Sequence, residues 1–447
     1  MVNVECDLHM TSGEGEGSYA KYSRRQGIDP DSKDLVGPSF SEFRRAIGAR
    51  HGSQPSPPVH HDCVRSDSKV MGSTYRSCCP AFHAFCPWVN NTPIKVSNIR
   101  TIVTNETKPV IEKATIEVYK ALLPKTMVIA DLGCSTGPNT MLFMSNVINM
   151  IAHHCSKLDE HDHVELQFIL NDLPGNDFNQ LFRSLENIKN STTTGHKGDL
   201  PPSYYISGLP KSYYSRLFPR QSVHLFHSSY SLHWLSQVPE GLEASGKSLL
   251  NQDVYISSTT SPLVVKLFQE QFQKDFSLFL QLRHEELVNG GRMVLIFLGR
   301  KDEDVYKGDL NHMYGFVTKA LESLVGKGLL SKEKLESFNL PTYGPSVDKV
   351  KEIVTKSHMF DLDHIKLFEA NWDPYDDSEG DVVLDGANSS LNISNLIRSV
   401  LESLIASHFG GNILDALFQE FRSLVAQHLK REKTKFALIV MSLKKIY

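Results

Sequence analysis

The stretch MVIADLGCSTGPN, residues 127–139, decides the fold. An apolar run typical of a buried strand leads into an acidic side chain, Asp131, and a glycine turn then opens a helix. Glycine lets the backbone approach a ligand closely, and a helix N-terminus favours polar or anionic groups. The pattern therefore predicts a ligand-binding turn between strand and helix, with an ordinary structural turn as the alternative.

The glycine spacing narrows the class of ligand. Gly133 and Gly137 follow G-x-x-x-G, which differs from the G-x-G-x-x-G of dinucleotide sites, and no Gly-Lys-Ser/Thr follows for a triphosphate. The spacing disfavours an NAD-dependent dehydrogenase. Asp131 would repel a pyrophosphate but suits a cationic ligand. S-adenosylmethionine fits that description, because it carries both an amino group and a sulfonium.

A second strand-end carboxylate follows in FILNDLP, residues 168–174. In doubly wound folds the acidic residue after the second strand accepts hydrogen bonds from ribose hydroxyls. Asp172 stands 41 residues after Asp131, a spacing longer than the usual one of about 20, so an extended helix or loop must lie between them. The alternative for Asp172 is a helix or turn cap.

A third signal is HLFHSSYSLHWL, residues 224–235, where a strand ends in hydroxyl, imidazole and indole side chains. At the mouth of a sheet, His233 and Trp234 could donate hydrogen bonds to an acidic ligand while their rings supply apolar walls. The alternative is a set of core aromatic residues.

Working outward, apolar runs alternate with helical periodicity, which is typical of a mostly parallel α/β sheet covered by helices on both faces. The predicted strands are 127–130, 166–170, 223–226, 293–298 and 436–443. The predicted sheet helices are 109–123, 141–151 and 268–288, the last ending at a stop signal, 289–291. The stretches 311–325 and 396–429 predict a helical cap above the carboxyl ends of the strands, and the acidic stretch 373–381 predicts a solvated connection.

Composition excludes several classes of protein. Of 447 residues, 40% are hydrophobic and 22% are charged, as in ordinary globular proteins, and the net charge of −4 argues against a basic nucleic-acid-binding face. No apolar run approaches the roughly 18 residues of a membrane helix, and no secretory signal is visible at the start. Seven cysteines, an odd number without a C-x-x-C pair, favour free thiols in the cytoplasm over disulfides or zinc.

Residues 27–98 differ from the rest, because they hold 8 of the 21 prolines and 4 of the 7 cysteines without sustained periodicity. Such composition buries too little apolar surface to offset the entropy of ordering. We predict a mostly disordered insertion, which is either regulatory or foreign to the working protein.

Together these signals resemble the SABATH family, the plant carboxyl and N-methyltransferases named for salicylate, benzoate and theobromine. The residues that carry the resemblance are LHM (8–10), SYA (18–20), DLGCS (131–135), NDLPGNDFN (171–179), RLFP (216–219), HSSYSLHWLSQVP (227–239), GGRMVL (290–295) and EKTKF (432–436). The resemblance implies a Rossmann-like class I methyltransferase sheet with a helical cap. It divides the chain into an arm over the active site (1–26), the insertion (27–98), a cofactor-binding domain (99–300), a mainly helical cap with part of the sheet (301–430) and a final strand (431–447).

The resemblance also implies a role for individual residues. Those expected to hold S-adenosylmethionine are Tyr19, Ser23, Asp131, Gly133, Cys134, Asn139, Asp172, Leu173, Ser212 and Tyr213. Gln26 and Trp234 would hydrogen-bond the substrate carboxylate. Those expected to shape the pocket around the substrate ring are Met10, Tyr230, His233, Leu298, Met313, Tyr314 and Phe418. The magnesium site of some members would fall near Asn251, Glu336, Phe338 and Asn339.

The expected activity is methyl-ester formation on a small aromatic carboxylic acid, with salicylate and benzoate first, anthranilate next, and jasmonate and indole-3-acetate after those. N-methylation of a xanthine-like base is disfavoured because both Gln26 and Trp234 are present. Family members suggest a homodimer. Two departures from the family, Tyr22 in place of the usual Asn and the insertion 27–98 directly after the arm, leave open a catalytically inactive acid binder or a nonfunctional product.

Overall fold

A computed structural model describes residues 98–136, 138–156, 164–185, 201–242, 251–376, 380, 383 and 385–446. All of them belong to one compact unit. The arm 1–26 and the predicted insertion lie outside the described residues, apart from Asn98, where the first helix begins.

The described chain contains both α-helices and strands. The helices are α1 (Asn98–Leu122), α2 (Pro138–Ser156), α3 (Phe178–Ser184), α4 (Pro262–Glu286), α5 (Asp309–Gly326), α6 (Lys332–Glu336), α7 (Val347–Ser357), α8 (Gly386–Phe409) and α9 (Leu414–Leu429). The strands are β1 (Thr126–Leu132), β2 (Glu165–Asp172), β3 (Tyr204–Pro210), β4 (Val223–Ser229), β5 (Leu287–Leu298), β6 (Phe360–Asn371) and β7 (Lys435–Lys445).

The strands form one seven-stranded sheet in the order β3-β2-β1-β4-β5-β7-β6. The pairs among β3, β2, β1, β4 and β5 are parallel, and β7 runs antiparallel to both of its neighbours. The inner strands β1, β5 and β7 are apolar and almost continuously buried, as expected for strands covered on both faces. The predicted α/β sheet is therefore confirmed.

The edge strands β3 and β6 were not predicted from the sequence. Their burial is irregular, because an edge strand has a neighbour on one side only, and β6 carries charged residues along much of its length. Neither strand therefore shows the apolar run that marked the inner strands.

The helices α5, α8 and α9 supply the predicted cap. Trp372 directly follows β6 at the carboxyl end of that strand, and its ring lies 6.3 Å from Phe316 of α5 and 5.7 Å from His428 of α9, measured between centroids. The predicted continuous stretch 396–429 is two helices, because Gly410 adopts a left-handed φ of 97° between α8 and α9.

The structure corrects the predicted start of the first helix. It begins at Asn98 rather than at Pro109, and Pro109 lies inside it. A proline in a helix frees the carbonyl four residues earlier, and here both Pro109 and Asn105 are exposed, so water can satisfy that carbonyl.

The predicted stop signal after α4 is also wrong. Strand β5 begins at Leu287 directly after the helix, so the two glycines lie within the strand. A Cβ on Gly291 would lie 3.1 Å from the carbonyl oxygen of His224 on β4 and 3.0 Å from that of Val288. Glycine is needed here for close approach of the backbone.

The acidic stretch 373–381 is not solvated at its start. Asp373 is buried and accepts hydrogen bonds from the Tyr375 amide at 2.9 Å and the Asn392 side chain at 3.2 Å. Burial raises the pKa of Asp373. This segment therefore packs against α8 where it follows Trp372.

No helix in the described part of the chain is long and apolar enough to cross a membrane.

Candidate active site

The three sequence signals meet at one edge of the sheet. Strands β2, β1 and β4 are parallel neighbours, so their carboxyl ends lie side by side. Leu132 pairs with Asn171, and Asp131 pairs with His227. In open α/β sheets, ligands bind outside the carboxyl ends of the strands, so this edge is the candidate site.

The glycine turn after β1 is fastened to the end of β2. The amides of Gly133 and Cys134 both donate to the Asn171 carbonyl, at 2.8 and 3.0 Å. Gly133 has a φ of 89°, a conformation that glycine adopts without strain, and Ser135 follows at 55°. The predicted ligand-binding turn is thus a tight loop with defined backbone geometry.

Asp172 is buried beneath this turn. One carboxylate oxygen accepts from the Ser135 amide and the other from the Leu173 amide, both at 2.7 Å. Burial raises the pKa of Asp172 well above its ordinary value, and the two backbone bonds oppose that shift. The side chain therefore joins the turn after β1 to its own strand end.

Asp131 faces two partners that the sequence did not identify. Its Oδ1 lies 2.7 Å from His227 Nδ1, and Thr140 of α2 donates to its Oδ2. The Phe143 ring stacks on the His227 imidazole, with centroids 3.9 Å apart. His227 lay inside the third motif, but its pairing depends on the register of β4 against β1.

Cys134 and Asn139 complete the turn that leads into α2. Burial, followed by the charges of Asp172 and Asp131, raises the pKa of the Cys134 thiol well above its ordinary value. A thiol that keeps its proton is a poor nucleophile, so this cysteine is a packing residue of the turn. Asn139 is half-buried in the first turn of α2.

Ser212 and Tyr213 follow β3 and lie beside Asp172, since the Lys211 amide donates to the Asp172 carbonyl at 2.7 Å. Tyr213 is buried and its hydroxyl donates to the Ser231 carbonyl at 3.0 Å. The structure therefore brings this predicted pair to the same edge as the two carboxylates, together with Leu173, which is buried.

The segment after β4 is buried at the neighbouring position. Tyr230 has a left-handed φ of 58°, and its amide donates to the Ile296 carbonyl at 2.6 Å. His233 and Trp234 are fully buried, with ring centroids 5.4 Å apart. The His233 carbonyl accepts from the Tyr343 amide at 2.7 Å.

The other predicted ring-shaping residues come from β5 and the cap, and all are buried in the same continuous hydrophobic cluster. They are Leu298 at the end of β5, Met313 and Tyr314 on α5, and Phe418 on α9. Tyr314 packs edge-on against Tyr255 with centroids 5.4 Å apart. Met10, Tyr19, Ser23 and Gln26 lie outside the described residues.

The described residues do not support the predicted magnesium site. Asn251 and Asn339 are adjacent, but the Asn251 amide donates to the Asn339 side chain at 3.1 Å. Glu336 pairs with Lys332 at 2.8 Å, and Phe338 packs against Phe409. No group of three or more His, Cys, Asp or Glu side chains suited to a metal occurs in the described part of the chain.

This sheet, with acidic residues ending β1 and β2 beside a glycine turn, belongs to the class of S-adenosylmethionine-dependent methyltransferases. The sequence profile of the SAM dependent carboxyl methyltransferases matches residues 91–446, and the chain belongs to that family. The resemblance to the SABATH enzymes is thereby confirmed.

Individual relatives agree with this assignment. The chain is 62% identical to a benzoate O-methyltransferase of Zea mays over 77% of this chain and 93% of the relative. It is 56% identical to anthranilate O-methyltransferase 1 of Zea mays, over 78% and 93%. Among solved structures, a loganic acid methyltransferase with SAH is similar at a TM-score of 0.65 and 30% identity, covering 78% of this chain and 96% of that one.

Proposed function

We propose that this protein transfers the methyl group of S-adenosylmethionine to the carboxylate of a small aromatic acid, with benzoate and salicylate as first candidates and anthranilate next. The observation that carries the proposal is the meeting of Asp131, Asp172 and the buried Tyr230–Trp234 segment at one sheet edge. The similarity to benzoate and anthranilate methyltransferases supports this substrate class.

The residues at the edge fit the chemistry of the cofactor. A buried carboxylate, Asp172, suits hydroxyl donors such as those of a ribose, and Asp131 supplies a negative charge for an amino group or sulfonium. Gly133, Cys134 and Asn139 would line the turn beside the cofactor. Leu173, Ser212 and Tyr213 would flank the adenine base of the cofactor. Tyr19 and Ser23 of the arm would complete the set. The bound cofactor supplies an electrophilic methyl group.

The acid would lie between Trp234 and Gln26, which we assign as donors to one carboxylate oxygen, leaving the other oxygen to accept the methyl group. Tyr230, His233, Leu298, Met313, Tyr314 and Phe418, with Met10 from the arm, would enclose the ring. Bulky side chains such as Tyr314 and Phe418 favour a compact ring over a long acyl chain.

The reaction needs no general base. Carboxylic acids with ordinary pKa values near 4 are ionised at neutral pH. The protein's contribution is to hold the nucleophilic oxygen in line with the methyl group and to exclude water. The full burial of Trp234 and His233 suits that role.

We further propose a cytoplasmic homodimer. Cys134 and Cys155, the cysteines of the described region, are free thiols, which suits a reducing compartment. The homodimer is inferred from the resemblance to the SABATH family, and light scattering of the purified protein would test it.

A second candidate function is acid binding without catalysis. One relative, at 56% identity, is named an inactive anthranilate O-methyltransferase 1 of Zea mays, so family membership does not by itself establish turnover. The stretch 27–98, placed directly after the arm, favours this alternative.

The deciding experiment is methyl transfer with labelled S-adenosylmethionine against benzoate, salicylate, anthranilate, jasmonate and indole-3-acetate. Turnover on the first three acids would support the proposal, and a preference for jasmonate would overturn the substrate class. Binding of acid without transfer to any of them would establish the inactive binder.

A further inference from the structure

The loop after β3, residues 211–219, is anchored by a buried ion pair on α4. Arg283 donates to the carbonyls of Tyr213 and Ser215, each at 2.9 Å, and its Nε lies 2.8 Å from Glu286 Oε2. The other carboxylate oxygen of Glu286 accepts from the amides of Leu217 at 2.6 Å and Phe218 at 3.0 Å. Both side chains of the ion pair are fully buried.

A buried pair with this many hydrogen bonds fixes the backbone it contacts, because each of those bonds would be costly to break in a low dielectric. The loop is therefore a rigid platform. It carries Ser212 and Tyr213, which we have assigned to the cofactor.

Two adjacent tyrosines join this platform to the acid-binding segment. The Tyr213 hydroxyl donates to the Ser231 carbonyl at 3.0 Å, and the Tyr214 hydroxyl donates to the Trp234 carbonyl at 2.7 Å. Their rings lie 4.8 Å apart. Tyr214 thus contacts the backbone of Trp234, the residue that we assign to the substrate carboxylate.

Around Trp234 the backbone is also held by hydrogen bonds within the segment and to residues 341–343. The Trp234 amide donates to the Ser231 carbonyl at 3.0 Å, and the Leu235 amide donates to the Pro341 carbonyl at 2.7 Å. Tyr214 therefore provides a direct link from the cofactor loop to the Trp234 peptide.

We propose that Tyr214 is a positioning residue that couples cofactor binding at Ser212 and Tyr213 to acid binding at Trp234. The inference rests on the proposed function, which assigns those contacts. Cofactor bound against Ser212 and Tyr213 would restrain the adjacent Tyr214 side chain and hence the Trp234 peptide, so the acid binds more tightly. By thermodynamic linkage, the acid must then tighten cofactor binding by the same factor.

The test is the variant Tyr214→Phe, which keeps the ring and removes the hydroxyl. Calorimetry would give the dissociation constant of salicylate with and without saturating S-adenosylhomocysteine, and that of S-adenosylhomocysteine alone. In the wild type we expect saturating S-adenosylhomocysteine to lower the dissociation constant of salicylate at least about fivefold. In the variant we expect that factor to approach one, and the KM for the acid to rise about tenfold, with little change in binding of S-adenosylhomocysteine alone.

The matched control is Tyr306→Phe, which removes a half-buried hydroxyl that donates to the Thr260 carbonyl at 3.2 Å. It should keep both the coupling factor and the KM. A variant that was merely destabilised would have a lower apparent kcat, because a smaller fraction of it is folded, but an unchanged KM. A change in KM therefore distinguishes a positioning role from a folding defect.

Active wild-type enzyme without coupling, or a Tyr214→Phe variant that keeps the coupling factor, would overturn this inference alone. Wild-type protein that methylates none of the acids in the panel would overturn the proposed function, so the two failures are distinguishable.

Discussion

His227 and Asp131 form a buried pair across β4 and β1, with Nδ1 2.7 Å from Oδ1. Phe143 stacks on the imidazole, and Thr140 donates to the second carboxylate oxygen. Asp131, near the carboxyl end of β1, is therefore oriented by its neighbours before any ligand binds, and such preorganisation lowers the cost of binding.

The first prediction concerns this pair. Replacing His227 by Phe keeps a ring for Phe143 to stack on but removes the hydrogen bond to Asp131, which leaves a buried acceptor without that partner. We expect a loss of about 1–3 kcal/mol in the free energy of unfolding, together with weaker binding of S-adenosylhomocysteine. Urea unfolding and calorimetry would measure the two effects. His227→Asn, whose amide can replace Nδ1 as a donor, should lose less, and equal losses in both variants would contradict the role of the bond.

The second prediction separates the acid from the cofactor. Gln26→Ala should remove a hydrogen bond to the substrate carboxylate and weaken salicylate binding by about 1.5–3 kcal/mol. Trp234→Phe should act in the same direction, and it is preferable to Trp234→Ala because the indole is fully buried and alanine would leave a cavity. Calorimetry with salicylate and S-adenosylhomocysteine would show whether the loss is confined to the acid. Equal loss of both ligands would count against the assignment.

The third prediction concerns Asp172. For Asp172→Asn we expect the dissociation constant of S-adenosylhomocysteine to rise by roughly one to two decades, because an amide replaces the carboxyl group that would accept from a ribose hydroxyl. An unchanged affinity in a folded variant would remove Asp172 from the cofactor site.

The same variant makes a prediction for pH dependence. Burial raises the pKa of Asp172, so the native state holds this proton more tightly than the unfolded chain does. The contribution of Asp172 to stability therefore falls as pH rises from about 4, the ordinary value for Asp, toward its native pKa. Relative to the wild type, Asp172→Asn should gain stability as pH rises from about 4 toward that native pKa. Unfolding curves that shift in parallel across that range would contradict this.

The fourth prediction is that residues 27–97 are dispensable, since α1 begins at Asn98. Closing a loop costs entropy that grows only slowly with its length, so we expect deletion to change stability by about 1–2 kcal/mol or less, and upward. The gain in activity should be larger, because Tyr19, Ser23 and Gln26 directly precede the deleted stretch. Thermal melting and methyl transfer of the intact and shortened chains would test this. If deletion unfolded the protein or abolished an existing activity, the stretch would be a structural element.

Local patterns predicted the parts of the fold that depend on neighbouring residues in the chain. The apolar run of β1 and the carboxylates of Asp131 and Asp172 at two strand ends are properties of single segments. Strands buried on both faces leave an apolar run, which is why β1, β2, β4, β5 and β7 were predicted and the edge strands β3 and β6 were not.

The sequence by itself determined the sheet class, the family, and the turn that follows β1. Only the tertiary structure decided which side chains hold that turn in place. The pairing of His227 with Asp131 requires the register of β4 against β1, and the anchoring of Tyr213 by Arg283 joins residues that are 70 positions apart. These contacts carry no local periodicity, because they arise only when packing brings distant segments together, and they orient the residues that we assign to cofactor and acid.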